Sequence, residues 1–461
     1  MNNKKEHINV KDVIQVDSEL LDNISLLIDQ QANASIKTIF ADLHSADIAE
    51  IINHLKFDDA VYTFKLLDNE TAGEVVPELN ENLREKIFLE LEPKNIAAIV
   101  DELETDDAAD VVSDLPDEVA EKVLDKINPE DSEDVKELLQ YGEETAGGLM
   151  NSDFVFVNEN AKVSDAIEEV RKNSDEFEHI YFIYVLAEDE KLIGQVLLKS
   201  LLTNPPSANI KTAVEEDLIF VTPEIDQEEV ADVMDKYDLV AIPVVDENKR
   251  MLGRITIDDV VDVIQEEASE DLQKFAGLSD DEEFSYSTVQ ISRNRMPWLF
   301  VSLFGEMISA FVLSSFQASL EKLIVSSFFI PIVMAMGGSA GSQAAIVMVQ
   351  GMGTGTIRIR ESFRKLFKEF RVAMLNGIIS AVVLFALSHF IFHTEIQFSL
   401  ILCISLFVIM INATMVGASV PIILKRFGAD PAIATGPFVQ TSNDIFGLII
   451  YLSLLAIFFT N

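Results

Sequence analysis

The sequence predicts a multidomain protein: an acidic α-helical superhelix, two βαββα units, a long connecting helix and an α-helical membrane domain with five spans. Three observations predict this fold class. A helical pattern recurs between residues 35 and 140, a strand-rich pattern occurs twice after residue 150, and long apolar segments fill the chain from residue 296. The predicted boundaries are 1–34 for an N-terminal segment, 35–150 for the superhelix, 151–208 and 209–264 for the βαββα units, 265–295 for the connecting helix and 296–461 for the membrane domain.

Charge divides the chain in the same way. Residues 1–290 hold 23 Lys and Arg against 71 Asp and Glu, whereas residues 291–461 hold 11 against 7. The strongly acidic N-terminal part repels nucleic acid and concentrates cations. We therefore expect cations as partners and no nucleic acid. The single cysteine, Cys403, cannot form a disulfide within the chain. The N-terminus lacks the apolar core of a secretory signal, so we expect the acidic part in the cytosol.

Four similar phrases define the superhelix: ADIAEIINHL, KNIAAIVDEL, DDAADVVSDL and DEVAEKVLDKI. Their Ala, Ile, Val and Leu residues recur at spacings of three and four, which places them on one helix face. Acidic residues or Pro separate the phrases. Helix pairs that each bury one apolar stripe stack into such a superhelix.

After YGEETAGGLM the apolar period changes from that of a helix to that of a strand. FVFV, a helix near residues 163–172, HIYFIYVL and KLIGQVLLKSLL form one βαββα unit, and LIFV, EEVADVMDKY, VAIPVVD and RMLGRIT repeat it. The two units resemble a tandem pair of cystathionine-β-synthase (CBS) domains, which commonly act as regulatory sensors. Such domains hold an adenosine ribose with a Gly, Thr and Asp pattern that matches Gly253, Thr256 and Asp258 in the second unit. The resemblance therefore implies an ATP-type nucleotide site at Thr256 and Asp258.

Five apolar segments are long enough to cross a bilayer. Basic residues cluster after the second and fourth segments, six of them between residues 358 and 371 and two at Lys425 and Arg426. Since basic loops stay inside, the N-terminal part lies in the cytosol and the C-terminus outside a cell (inner) membrane. The segments lie at about 297–316, 323–350, 371–392, 398–423 and 432–459.

Asp444 lies near the middle of the last apolar segment, where a charge costs about 3 kcal/mol or more. Gln440 and Gly436 precede it by one and two helical turns, which predicts a polar stripe that faces a wet cavity. Pro437 has no N–H to donate and would release the carbonyl near Ile433 for an ion or a water. The alternative is that Asp444 is protonated or hydrogen-bonded between helices.

Glu306, in the first span, is the only other acid well inside the predicted bilayer. It either lines a pore or pocket or forms an interhelical hydrogen bond near the interface. The second span contains MGGSAGSQAAIVMVQG, and its small residues favour close helix packing over a binding loop.

The helix after the second βαββα unit carries an acidic edge. Carboxylates three or four residues apart oppose helix formation, and two of them 6 Å apart repel by about 3 kcal/mol at an effective dielectric constant of about 20. A divalent cation would remove that repulsion, so the edge is either a cation sensor or a solvated helix face. Its residues are Asp259, Asp262, Glu266 and Glu270, with Glu267 and Asp271 beside them.

The order of these parts, with YGEETAGGLM, GGSAGSQ and the Asp-bearing last span, resembles the MgtE family of magnesium channels over nearly the whole chain. The resemblance implies a homodimer whose second and fifth spans line a central pore, closed by a connecting plug helix when cytosolic Mg2+ is high. Asp444 would be the selectivity carboxylate, and Gly436 and Gln440 stand where the family has Asn and a small residue. The implied regulatory Mg2+ ligands are Asp259, Asp262, Glu267, Glu270 and Asp271, with Asp106, Asp107 and Asp110 shared between the superhelix and the CBS layer.

The sequence thus predicts a dimeric Mg2+-selective channel for uptake and no enzyme, since it contains no P-loop and no nucleophile with a base nearby in sequence. Two alternatives stay open. One is a secondary transporter of divalent cations that uses Asp444 or Glu306 as its coupling site. The other is a membrane-anchored sensor whose CBS pair binds adenine nucleotide.

Overall fold

The computed structural model describes residues 16, 18–174, 177, 179–278, 288–353, 357, 362–432 and 436–459. The chain divides into two compact units, Met1–Val263 and Ile264–Asn461, which we call the N-terminal and the C-terminal unit. The predicted N-terminal segment, 1–34, lies largely outside the described residues up to residue 15, and its remainder contributes to the first helices.

Ten short helices open the described part of the N-terminal unit. Each buries an apolar stripe; Ile48, Ile51 and Ile52, for example, are almost completely buried. Helices two places apart in sequence pack together, and this repeated contact confirms the predicted superhelix. The helices are α1 Ser18–Asp29, α2 Asn33–Phe40, α3 Ser45–His54, α4 Phe57–Phe64, α5 Asn69–Val75, α6 Glu81–Leu89, α7 Pro93–Val100, α8 Thr105–Ser113, α9 Asp117–Leu124 and α10 Pro129–Leu138.

The first βαββα unit forms a three-stranded sheet of order β1-β2-β3, in which β1 is parallel and β3 antiparallel to β2. Its elements are β1 Phe156–Asn158, α11 Val163–Lys172, β2 Phe182–Leu186, β3 Leu192–Leu197 and α12 Leu198–Thr203.

The second unit is an antiparallel pair of strands followed by a long helix. The strand predicted at LIFV is reduced to one parallel bridge, from Val221 to Val244. Pro223 follows closely and has no N–H to extend the ladder, which accounts for the short pairing. The elements are α13 Gln227–Tyr237, β4 Ala241–Val245, β5 Met251–Thr256 and α14 Ile257–Ala276.

The connecting helix differs from the predicted range of 265–295. It begins at Ile257, directly after β5, and ends at Ala276 because Gly277 adopts a φ of +73°. Residues 279–287 lie outside the described part of the chain. Residues from Thr288 belong to the next helix, so the predicted range was wrong at both ends.

In the described part of the C-terminal unit, five helices are long and apolar enough to span a membrane, as predicted. α19 is the most buried of them and packs against α17, α18 and α20. Apolar side chains such as Phe311 (73% exposed) cover the outer surfaces. The helices are α15 Thr288–Ser315, the short α16 Gln317–Lys322, α17 Ile330–Gly353 after a 3-10 turn at Ile324–Phe329, α18 Ser362–Ala386 with a π turn at Leu387–Ile391, α19 Ile396–Arg426 and α20 Pro437–Phe459.

Glycines let three of these helices meet closely. A Cβ on Gly417 of α19 would lie 2.1 Å from the carbonyl oxygen of Gly341 in α17. A Cβ on Gly341 would lie 2.1 Å from Nδ2 of Asn443 in α20. Close packing is therefore the role of Gly341 in the glycine-rich second span.

We expect Gly417→Ala to destabilise the C-terminal unit by about 1–3 kcal/mol, the usual cost of overpacking. The added methyl group meets backbone, which cannot move without separating α17 from α19. Thermal unfolding of the detergent-solubilised protein measures the effect. Gly338→Ala is the matched control, because a Cβ there meets nothing within 4 Å. Equal melting temperatures for the two variants would contradict this packing account.

Candidate cation sites

Asp444 lies closer to one end of its helix than the sequence predicted. Pro437 is the first residue of α20, where its missing N–H costs no helical hydrogen bond. It therefore begins the helix and does not interrupt it. Asp444 is therefore about 10 Å from the start of a 23-residue helix, not near its middle. The carbonyl of Ile433, predicted as an ion or water ligand, lies outside the described residues.

Of the predicted polar stripe, Gln440 and Asp444 lie on α20 and Gly436 directly precedes it. Gln440 is exposed, whereas Gly436 and Asp444 are half-buried. Asn443, the residue before Asp444, is buried instead. It is 3% exposed, and its side chain points into the junction with Gly341, where neither amide atom has a hydrogen-bond partner.

Glu306 of α15 lies against Asp444. The two carboxyl groups interact across the contact between α15 and α20. The neighbouring Gly305 allows this approach, since a Cβ there would lie 1.9 Å from Cγ2 of Thr441, one turn before Asp444. Glu306 is exposed on the surface of the single chain. Two acids from the first and last spans thus form one site.

A second group of carboxylates lies in the N-terminal unit, where the start of α8 meets the end of β5 and the start of α14. Asn151 links the group: Nδ2 donates to Asp106 Oδ1 at 3.3 Å and also to Glu104, and Oδ1 accepts from Thr105 Oγ1 at 3.0 Å. From β5, Arg254 Nη2 lies 3.8 Å from Glu104 Oε2. Asp107 and Asp259 complete the group, in which the three aspartates are half-buried and Glu104 is exposed. We call it the carboxylate cluster: Glu104, Asp106, Asp107 and Asp259.

Partial burial raises the pKa of Asp106, Asp107 and Asp259, and repulsion between neighbouring carboxylates adds to the effect. The pKa of Asp106 lies well above its ordinary value, that of Asp107 is raised to about 8 and that of Asp259 to about 6. Asp110, on the next turn of α8, is exposed and has the Arg84 guanidinium and the Asp114 carboxylate as charged neighbours. Ionising these groups together requires positive charge from outside the cluster, which a divalent cation would supply.

The predicted acidic edge of α14 does not act as one group. Asp259 is half-buried and belongs to the carboxylate cluster, whereas Asp262 and Glu266 are exposed. Glu270 pairs with Lys274, whose Nζ also lies 2.9 Å from Oδ2 of Asp430, before α20. Lys274 and Asp430 were not predicted from the sequence; the spacing of four from Glu270 to Lys274 was the available signal. The remaining two acids, Glu267 and Asp271, lie near that pair on the helix.

Among the residues that the structure describes, no three His, Cys, Asp or Glu side chains are arranged to hold a metal ion directly. Mg2+ usually keeps several waters and takes only one or two carboxylates, which does not need such a cage. The carboxylate pairs Glu306 with Asp444 and Asp106 with Asp107 therefore have the chemistry to bind a hydrated Mg2+ ion.

The two predicted nucleotide-binding residues, Thr256 and Asp258, differ in burial. The Thr256 hydroxyl is buried and donates to Asp259 Oδ2 at 2.9 Å, while Asp258 is exposed. A small cleft in the CBS-like layer is lined by other residues, among them Tyr184 and Arg254.

Comparison with known families agrees with each part of the chain. Residues 330–454 match a family described as a divalent cation transporter, residues 43–144 match the MgtE intracellular N domain, and residues 146–206 and 210–266 match CBS domains. The fold and the matches together define a membrane transporter of divalent cations with an intracellular regulatory part.

Two similar proteins are the magnesium transporters MgtE of Bacillus subtilis and Thermus thermophilus. Each is 33% identical over 328 residues, which cover 71% and 70% of this chain and 72% of each relative. The chain belongs to the MgtE family, which confirms the resemblance drawn from its sequence; the family is one of transporters rather than enzymes.

Two solved structures resemble the N-terminal part. The soluble part of a magnesium transporter aligns with a TM-score of 0.50 at 28% identity, covering 54% of this chain and 98% of that one. The cytosolic domain of the Mg2+ channel MgtE in complex with ATP aligns with a TM-score of 0.50 at 29% identity, covering 53% and 99%.

Proposed function

We propose that this protein is a Mg2+-selective channel for magnesium uptake across the cell (inner) membrane. The observation that carries the proposal is the contact between Glu306 and Asp444, two acids inside spans that are otherwise apolar. Acids at this depth face water or a protein partner because lipid cannot solvate them. Glu306 is exposed on the single chain, which favours a homodimer in which each subunit brings its pair to a central path.

The chemistry of Mg2+ suits such a path. The ion dehydrates reluctantly, so a wet path with a few carboxylates binds it more readily than a dry protein cage. Asp444 is the proposed selectivity group, and Gln440 and Gly436 line the two preceding turns with Pro437 at the helix start. In this arrangement the N-terminal unit is cytosolic and the C-terminus lies outside.

Cytosolic Mg2+ is the proposed gating signal. In the carboxylate cluster, Mg2+ would replace the protons that partial burial retains, so that its binding favours one arrangement of α8 and α14. The exposed Asp110 would add a carboxylate ligand on α8. α14 carries Asp259 at its start and Glu270 near its end, so one helix joins the cluster to the C-terminal unit. Asp262, Glu266, Glu267 and Asp271 would add weaker sites along that helix.

Adenine nucleotide is a proposed modulator. The ATP complex of a similar cytosolic domain supports a nucleotide site in the CBS layer. If Thr256 and Asp258 contribute to it in this chain, nucleotide would compete with the bond between Thr256 and Asp259. Nucleotide would then alter the carboxylate cluster and, through it, the dependence of gating on Mg2+.

Flux into liposomes that contain the purified protein tests the proposal. A channel gives rapid Mg2+ uptake that needs no pH gradient. The paired carboxyls of Glu306 and Asp444 also favour a second candidate, a proton-coupled transporter, whose uptake would depend on a pH gradient. Absence of any flux would leave only a membrane-anchored nucleotide sensor.

Glu306→Gln should reduce Mg2+ flux severalfold and weaken discrimination against monovalent cations, because one of two adjacent carboxylates is lost. Flux with Mg2+ and K+ in the same liposomes measures both effects. Glu395→Gln is the control, since Glu395 precedes α19 outside the membrane core. Equal flux and selectivity in both variants would assign Glu306 a packing role instead.

A further inference from the structure

The end of α14 is tied to the segment before α20 by one lysine. Lys274 Nζ contacts Glu270 on its own helix and Asp430 Oδ2 at 2.9 Å. The three side chains are only 18%, 27% and 30% exposed, which limits screening by water. Asp430 is held in place because its Oδ1 accepts a hydrogen bond from Ala432 N at 2.7 Å.

Near this ion pair, the backbone of Gly277 lies against the ring of Pro437. Gly277 ends α14 in a left-handed conformation, and a Cβ there would lie 2.8 Å from Cγ of Pro437. Pro437 is the first residue of α20, two turns before Asp444. The end of the connecting helix therefore rests on the start of the helix that carries the proposed selectivity group.

The charges at this contact are unbalanced. Burial alone would lower the pKa of Lys274, but its bonds to Glu270 and Asp430 more than offset burial and raise that pKa, so the side chain is a permanent cation. Asp271 is exposed and interacts electrostatically with Asp430, Lys274 and Lys425. Two carboxylates, those of Glu270 and Asp430, contact one ammonium, and without it they would repel each other across the contact.

We propose that Lys274 is a built-in latch, whose ammonium holds the end of α14 against the start of α20 without any divalent cation. The inference rests on the proposed function and names a regulator of the same path. The latch makes part of the closed arrangement independent of Mg2+, so that less Mg2+ is needed to complete closure. Because two carboxylates contact one ammonium, Mg2+ adds to the lysine rather than replacing it.

The test compares Lys274→Met, Lys274→Arg, Asp430→Asn and the Lys274→Met, Asp430→Asn double variant in the full-length reconstituted protein. Asp430→Asn removes the charge but keeps the oxygen that accepts from Ala432. We expect each of the two neutral variants to raise the Mg2+ concentration that halves flux by about fivefold to tenfold, which corresponds to the loss of one partly buried ion pair. Lys274→Arg should stay near wild type, and the double variant should add nothing further, since both changes remove one interaction. Lys236→Met, at an exposed lysine of α13, is the control.

Hydrogen exchange of residues 264–278 in the metal-free full-length protein gives a second readout that does not depend on flux. The latch predicts faster exchange there in Lys274→Met and Asp430→Asn, with unchanged exchange in α19 as evidence of folding. An unchanged or lowered half-inhibiting concentration, additive effects, or unchanged exchange would overturn the latch. Wild-type protein without Mg2+ flux would refute the proposed function instead, and exchange would still decide the latch.

Discussion

Asp444→Asn should lower the initial rate of Mg2+ uptake by reconstituted protein by at least about tenfold. A tenfold loss corresponds to about 1.4 kcal/mol, which is small for removal of the charge that binds a divalent cation within a membrane. Asn has nearly the same shape and leaves the packing of α20 intact. The remaining carboxylate of Glu306 should sustain only slow and less selective flux.

Uptake of Mg2+ into liposomes, followed with an indicator inside, measures this effect. Glu395→Gln serves again as the control for loss of a carboxylate outside the spans. Circular dichroism and elution volume establish that the variant is folded. Wild-type uptake by folded Asp444→Asn would exclude Asp444 from the ion path.

The second large effect is a dependence of stability on pH that comes from the carboxylate cluster. The pKa of Asp107 is about 8 in the folded protein because of burial and neighbouring carboxylates, against about 3.8 when unfolded. Since the folded state retains the proton, the unfolded state is favoured increasingly as pH rises above about 4, and the loss of stability levels off above about 8. Metal-free protein should therefore become less stable across this window, and Mg2+ should restore stability at pH 8.

Asp107→Asn combined with Asp259→Asn should abolish most of that behaviour. The metal-free double variant should melt several degrees higher than wild type at pH 8, match wild type near pH 4 and gain much less from Mg2+. Its flux should need at least about tenfold more Mg2+ for inhibition, equivalent to losing about 1.4 kcal/mol of binding. Asp58→Asn, at an acid in the first turn of α4, is the control. Wild-type pH dependence and inhibition in the double variant would remove the sensor role.

Much of the fold follows from local patterns. Apolar periods predicted the superhelix, the paired strands and the five spans, because each pattern reflects which face of an element is buried. The superhelix is a clear example, since Ile48, Ile51 and Ile52 recur at the spacing of one buried stripe. The end of α14 was harder to predict, because a glycine can lie within a helix or end one, and Gly277 ends α14 with a φ of +73°.

The candidate sites were only half predictable for a similar reason. Asp444 and Glu306 each stood out as acids in apolar segments, but their contact joins residues 138 positions apart and depends on Gly305 fitting against Thr441. Charge spacing suggested one sensor along α14, whereas the fold assigns Asp259 to one group and Glu270 to another. A one-dimensional pattern carries no information on which partner lies across from each turn.

The central claim is that Mg2+ flows through a path at Asp444 and that Mg2+ on the side of the N-terminal unit closes it. Currents through membrane patches that expose this side to the bath test the claim most directly. The account predicts Mg2+ current at low bath Mg2+ that falls as bath Mg2+ rises and does not change with the pH gradient. Current that is absent, or that persists unchanged at high bath Mg2+, would contradict it.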